Sequence, residues 1–145
     1  MNVAVGLGCD RGTPLVTLQH ALGAALAQAG AQAGQVVAAA SITLKADEAG
    51  LLALAAENGW AMAFYAPAEL AGVPVPNPSE TVRRYTGTPS VSEAAALLAG
   101  GRALGHEEAL PMTALLVEKF KHRGADGRNA TVSIARCDSF LFQPP

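Results

Sequence analysis

Apolar positions along this chain follow two periods, and each predicts a different element. The run Val3-Ala4-Val5-Gly6-Leu7 is continuously apolar and ends among glycines, which predicts a short buried strand. Leu15, Leu18, Leu22 and Leu26 then recur at helical spacing, so one face of a helix packs on that strand's sheet. Thr13-Pro14 reads as an N-cap followed by proline at the first helical position, where the missing N–H costs nothing. Gly30 is the expected stop. Residues 36–44 are apolar without a clear period and read equally well as a short helix or a strand.

Further along, Asp47 and Glu48 place negative charge at the opening of a helix that runs to about Asn58 and closes at Gly59. Residues 61–65 suggest a second buried strand, and residues 67–70 one helical turn. Pro74, Pro76 and Pro78 make residues 72–78 an extended loop. Asn77-Pro78 repeats the cap pattern and starts a short helix through Tyr85, ended by Gly87. Ser90 and Glu93 have capping-box spacing, and the helix after them is expected to stop at Gly100-Gly101. Residues 114–120 and 130–135 flank the polar turn 123–127, which predicts an antiparallel hairpin. With no internal repeat or linker, residues 1–145 are expected to form a single α/β domain.

Composition narrows the possibilities. Hydrophobic residues make up 50% of the chain and charged residues 15%, a balance that folds rather than staying disordered. Alanine and leucine dominate the apolar share, so helices should approach the sheet closely. A net charge of −2, with one short basic run at 119–123, argues against nucleic acid, whose binding depends on clustered cations. Two cysteines are too few for a disulfide framework, and neither they nor His20, His106 and His122 have metal-ligand spacing. No metal or other cofactor is therefore expected. The start lacks the layout of a signal peptide, and the alanine-rich stretches are interrupted before bilayer length, so the expectation is a cytoplasmic protein without membrane contact.

The candidate ligand loop is the turn from Gly6 to Thr13, beyond the carboxyl end of the first strand, where open α/β sheets bind ligands. Gly6, Gly8 and Gly12 would let a ligand approach the backbone, and the helix start at Thr13 would offer N–H groups to an anion. Its G-x-G-x-x-x-G spacing is one residue longer than the dinucleotide fingerprint. No acidic residue stands about twenty positions on, and no G-K-[ST] ending marks a phosphate loop. A tight structural turn is the alternative. Cys9, close to a helix start and to Arg11, could be a thiolate nucleophile, or simply a buried thiol. Lys45 could hold a carboxylate and Glu48 orient it, or both could be ordinary charges at a helix entrance. Glu93 divides between a cap and a ligand contact. Lys119 and Lys121 alternate, so they share a strand face that could meet an anionic ligand.

Four blocks, taken together, resemble the CobE family and the C-terminal domain of CbiG, both of cobalamin biosynthesis. They are Val5-Gly6-Leu7-Gly8-Cys9-Asp10-Arg11-Gly12-Thr13, the block from Ala40 to Leu51 containing Lys45-Ala46-Asp47-Glu48, the block from Gly87 to Leu97 containing Ser92-Glu93, and Ala130-Thr131-Val132-Ser133-Ile134-Ala135-Arg136. The A-S-x-x-x-K-A-D-E-x-G-L pattern is the most specific. The resemblance implies a three-layer α/β/α domain with a mixed sheet, and a ligand among the precorrin or corrinoid intermediates, macrocycles fringed with acetates and propionates. It implies Gly6, Gly8, Cys9, Arg11, Gly12, Thr13, Lys45, Glu48, Ser92, Glu93 and Lys119 as candidate contacts, and other pathway enzymes as candidate partners. The family often has a basic residue where Asp10 stands here. CbiG proteins open a ring lactone by hydrolysis and carry additional N-terminal regions, whereas this chain looks like the CobE form, for which a carrier role is the leading expectation. An enzyme of the same pathway using Cys9, Lys45 or Glu48, and a nucleotide-binding or interaction module, are the alternatives.

Overall fold

The first strand separates large from small residues by face, and the rest of the fold follows from that. In the computed structural model, which describes residues 1–138, β1 (Val3–Cys9) turns Val3, Val5 and Leu7 toward one side of the sheet and Ala4 toward the other. The remainder of the 1–145 span expected to form one domain lies outside the described residues. On the large-residue side packs α1 (Leu15–Ala29), through Leu18, Leu22 and Leu26, together with Leu51 and Leu54 of α2 (Ala49–Asn58). On the small-residue side lies α5 (Ser92–Ala103), buried nearly all round and rich in alanine.

Small residues let α5 approach the sheet closely. A side chain at Gly6 would collide with the Ser92 carbonyl oxygen and come within 2.6 Å of the Ala96 nitrogen. The expected stop at Gly100-Gly101 does not occur; α5 runs through both to Ala103. These glycines make room for neighbours instead, Gly100 for Leu110 and Gly101 for the backbone of Glu108.

The sheet has five strands in the order β3-β2-β1-β5-β4. β2 (Val36–Ile42) and β3 (Ala63–Tyr65) extend it in parallel from β1, which resolves the ambiguous stretch 36–44 as a strand followed by a 3-10 turn at Thr43–Lys45. β4 (Leu115–Arg123) and β5 (Asn129–Arg136) form the expected antiparallel hairpin, with β5 inserted antiparallel against β1. Helices cover both faces, giving the three-layer α/β arrangement with a mixed sheet.

Two short helices, α3 (Pro67–Ala71) and α4 (Glu80–Thr86), precede α5. Gly30, Gly59 and Gly87 end their helices in the left-handed conformation, as their positions imply.

Helix starts are displaced from the expected caps. Pro14, not Thr13, flanks α1, and Thr13 Oγ1 donates to the Asp10 carbonyl at 2.7 Å. Ser79 rather than Asn77 caps α4, its hydroxyl accepting from the Val82 N–H at 3.2 Å. α5 begins two residues after Ser90, which places Glu93 in its first turn without a capping box. α2 begins after Glu48, whose side chain caps nothing in its own helix.

Candidate functional site

The carboxyl end of β1 lies between a parallel neighbour, β2, and an antiparallel one, β5, and open α/β sheets bind ligands beyond the carboxyl ends of their strands. Here a cleft of about 410 Å³ opens. Its floor is Gly8, Cys9, Asp10 and Arg11 from the end of β1, with Asn129 and Thr131 from β5 beside them. Ile42 and Lys45 come from the end of β2, Lys119 and Lys121 from β4, Val91 and Ser92 from the start of α5, and Thr81, Val82, Tyr85 and Thr86 from α4.

The chain contains three lysines, and all three line this cleft. Among the described residues none of them is ion-paired, although six such pairs occur, each formed by an arginine. The one acidic residue in the lining, Asp10, is already engaged. Its Oδ2 accepts from the Asn129 backbone N–H at 2.7 Å and from Asn129 Nδ2 at 3.1 Å, fastening the turn to the hairpin.

The glycine turn itself is filled from within the chain. The Glu48 carboxylate, 4% exposed, accepts from the Gly12 N–H with both oxygens, at 3.0 and 3.2 Å. Gly12 has φ +79°, a conformation that favours glycine and that presents this N–H to Glu48. Arg11 turns the same way: Nη1 meets Asp47 Oδ1 at 2.8 Å and Glu48 Oε1 at 3.0 Å, and Nη2 donates to the Leu44 carbonyl at 2.7 Å. The Arg11 hydrogen bond holds the Asp47 carboxyl below its ordinary range. Donors expected to serve an external anion therefore hold the protein's own carboxylates, and Gly12, Thr13 and Glu48 line a second, more open hollow of about 460 Å³ by the starts of α1 and α2 rather than the lysine-lined cleft.

Of the two readings of Cys9, its surroundings favour the protonated thiol over the thiolate. Burial pushes its thiol up from 9.0 to about 11, against the opposing influence of Lys45, and Glu48 and Asp10 push in the same direction as burial. Arg11 does not offset this, because its guanidinium is spent on Asp47 and Glu48. The thiol stays protonated near neutrality and is a poor nucleophile there.

Of the remaining candidates, Gly6 lies beneath α5 and Glu93 is fully buried. Glu93 Oε2 accepts from Asn77 Nδ2 at 2.6 Å, and Oε1 accepts from the Ser90 hydroxyl at 3.2 Å. Asn77 also donates to Glu118 Oε1 at 3.0 Å, so this group anchors the loop that leads into α4. Gly8, Cys9, Arg11, Lys45, Ser92 and Lys119 come together in the cleft as a set. Sequence reasoning missed the α4 wall. Thr81, Val82, Tyr85 and Thr86 sit in a short helix with no buried face, which leaves no hydrophobic period to mark them.

Comparison with known proteins matches residues 3–135 to the family described as cobalamin synthesis G C-terminus. The chain belongs to that family. It is a protein of cobalamin biosynthesis, as the four sequence blocks implied. Protein CobE of Sinorhizobium sp is 39% identical over 103 residues, which cover 70% of this chain and 67% of that protein. Cobalt-precorrin-5A hydrolase of Priestia megaterium is 40% identical over 99 residues, 68% of this chain but only 26% of the hydrolase. The crystal structure of CobE, a protein from the cobalamin (vitamin B12) biosynthetic pathway, matches with a TM-score of 0.75 and 32% identity, covering 92% of this chain and 93% of that one. Cobalamin biosynthesis protein chiG from Agrobacterium tumefaciens str. C58 matches with a TM-score of 0.56 and 25% identity, covering 90% of this chain and 96% of that one.

Proposed function

We propose that the cleft at the end of β1 binds the carboxylate-fringed macrocycle of a corrin-pathway intermediate, and that the protein carries this ligand between pathway enzymes in the cytoplasm. The observation behind this reading is the placement of all three lysines around one cleft, with no ion pair to any of them among the described residues. Ammonium groups that form no ion pair among the described residues suit the acetates and propionates of a precorrin, since charge-assisted hydrogen bonds are the strong ones. Ile42, Val82 and Val91 supply apolar wall beside them.

The cleft volume lies in the lower part of the range for small-molecule sites, so a macrocycle would enter by one edge and leave the rest in solvent. Partial enclosure suits a ligand that must be handed on. A carrier role is favoured over catalysis because the Cys9 thiol is protonated near neutral pH and the Glu48 carboxylate is committed to Gly12 and Arg11.

Absorbance titration with hydrogenobyrinic acid tests the reading. The expected result is a saturable spectral change at micromolar protein, weakening as salt is raised. No change at micromolar protein and ligand would overturn it. Catalysis is separated by Cys9→Ala, Lys45→Ala and Glu48→Ala: loss of pathway flux with binding retained would favour an enzyme.

A further inference from the structure

Tyr85 stands out among the residues of the cleft. Its side chain is 77% exposed, and α4 contains no buried residue, yet Tyr85 forms part of the cleft wall beside Val82 and Thr86. The ring contributes little to holding the fold together.

Its segment is nevertheless pinned at the base. The Ser79 N–H donates to the Pro89 carbonyl at 2.8 Å, joining the two stems, and Asn77 ties the approach to Glu93 and Glu118. A held base keeps α4 beside the cleft, and among the described residues no ring or cation lies against the Tyr85 face.

Lysines alone do not discriminate. They attract any polycarboxylate, whereas the apolar face of an aromatic ring contributes when an apolar surface lies against it, and its hydroxyl is a separate contribution that Tyr85→Phe removes. From this we infer that Tyr85 lays its ring on the apolar face of the bound macrocycle, and is the residue by which the cleft selects a carboxylate-bearing ring over a flexible polycarboxylate. The inference rests on the proposed function and names how that site chooses its ligand.

The test compares wild type, Tyr85→Phe and Tyr85→Ala against two probes, hydrogenobyrinic acid and the acyclic butane-1,2,3,4-tetracarboxylic acid, by calorimetry, with thermal melts as the check on folding. Tyr85→Ala is expected to lose about tenfold in affinity for hydrogenobyrinic acid, while Tyr85→Phe stays within about twofold. Neither variant should change the affinity for the acyclic acid, and both should melt like wild type. Equal affinity of Tyr85→Ala and wild type for the macrocycle would overturn the inference and leave the lysine cleft standing. An equal loss for both probes would also overturn it, because it would make Tyr85 a support of the cleft. If wild type binds no hydrogenobyrinic acid, the proposed function fails together with it.

Discussion

Two cationic regions border the end of β1, and they are supplied with counter-charge very differently. At the glycine turn, the Arg11 guanidinium and the Gly12 N–H are taken up by Asp47, Glu48 and the Leu44 carbonyl. Across the cleft lining, Lys45, Lys119 and Lys121 form no ion pair among the described residues, and Lys45 reaches a carboxyl, Asp47, only through its field. Saturated groups fix a shape, because moving them breaks bonds already made. Unsaturated groups lose only water when a ligand arrives, so their Coulomb energy remains available for binding. A cation near a loop is thus a poor guide to a site until its partners are counted.

Replacing all three lysines, Lys45→Ala/Lys119→Ala/Lys121→Ala, probes the available side of this contrast and carries the largest expected effect. Affinity for hydrogenobyrinic acid should fall by about a hundredfold or more, and the salt dependence of binding should flatten, as charge-assisted contacts are removed. The melting temperature should change little, since among the described residues these side chains make no ion pair, and the field of Lys45 at exposed Asp47 is screened by water. A variant that still binds as wild type would erase the contrast.

Glu48→Ala probes the saturated side. It removes a nearly buried carboxylate that accepts from Gly12 and Arg11, and leaves that N–H and guanidinium without their acceptor. Denaturant unfolding should register a loss of roughly 2 kcal/mol, with hydrogenobyrinic acid affinity changed less than about threefold. Intact stability with abolished binding would mean that the turn, not the lysine set, meets the ligand.

The smallest effect concerns Cys9 and pH. Its pKa is raised from 9.0 to about 11 in the fold, so between those values the unfolded chain releases a proton that the folded chain keeps. Stability is therefore full below pH 9 and declines as pH rises toward 11. Cys9→Ser should make this decline shallower, leaving the part due to the buried Cys137 thiol, which is likewise pushed up to about 11, without altering ligand affinity at pH 7. A flat wild-type curve above pH 9 would show that burial does not burden the thiolate.

Much of the fold was legible because it is local. The period of Leu15, Leu18, Leu22 and Leu26, the glycine stops at 30, 59 and 87, and the hairpin around its polar turn all depend on neighbours in sequence. What escaped depends on contacts between distant residues. Gly100 and Gly101 look like a stop, but they make room for Leu110 and Glu108 in a helix that continues through them. Glu48 looks like a helix-entrance charge, yet its acceptor oxygens serve Gly12, thirty-six positions earlier. The cleft was legible in part. Lys45, Lys119 and Lys121 stood out as charges, and the resemblance carried Ser92. Tyr85 gave no signal, because a ring kept out of the core leaves no pattern in the core's periodicity.

The gathering of every lysine into one cleft has a practical consequence for anyone handling this protein. Amine-reactive dyes, crosslinkers and sensor-surface couplings find their side-chain targets only there. Immobilisation through lysine would therefore mask the proposed site, and attachment should use another chemistry. Conversely, mild acylation becomes a footprinting reagent, in which the mass added to each lysine reads out whether the cleft is occupied.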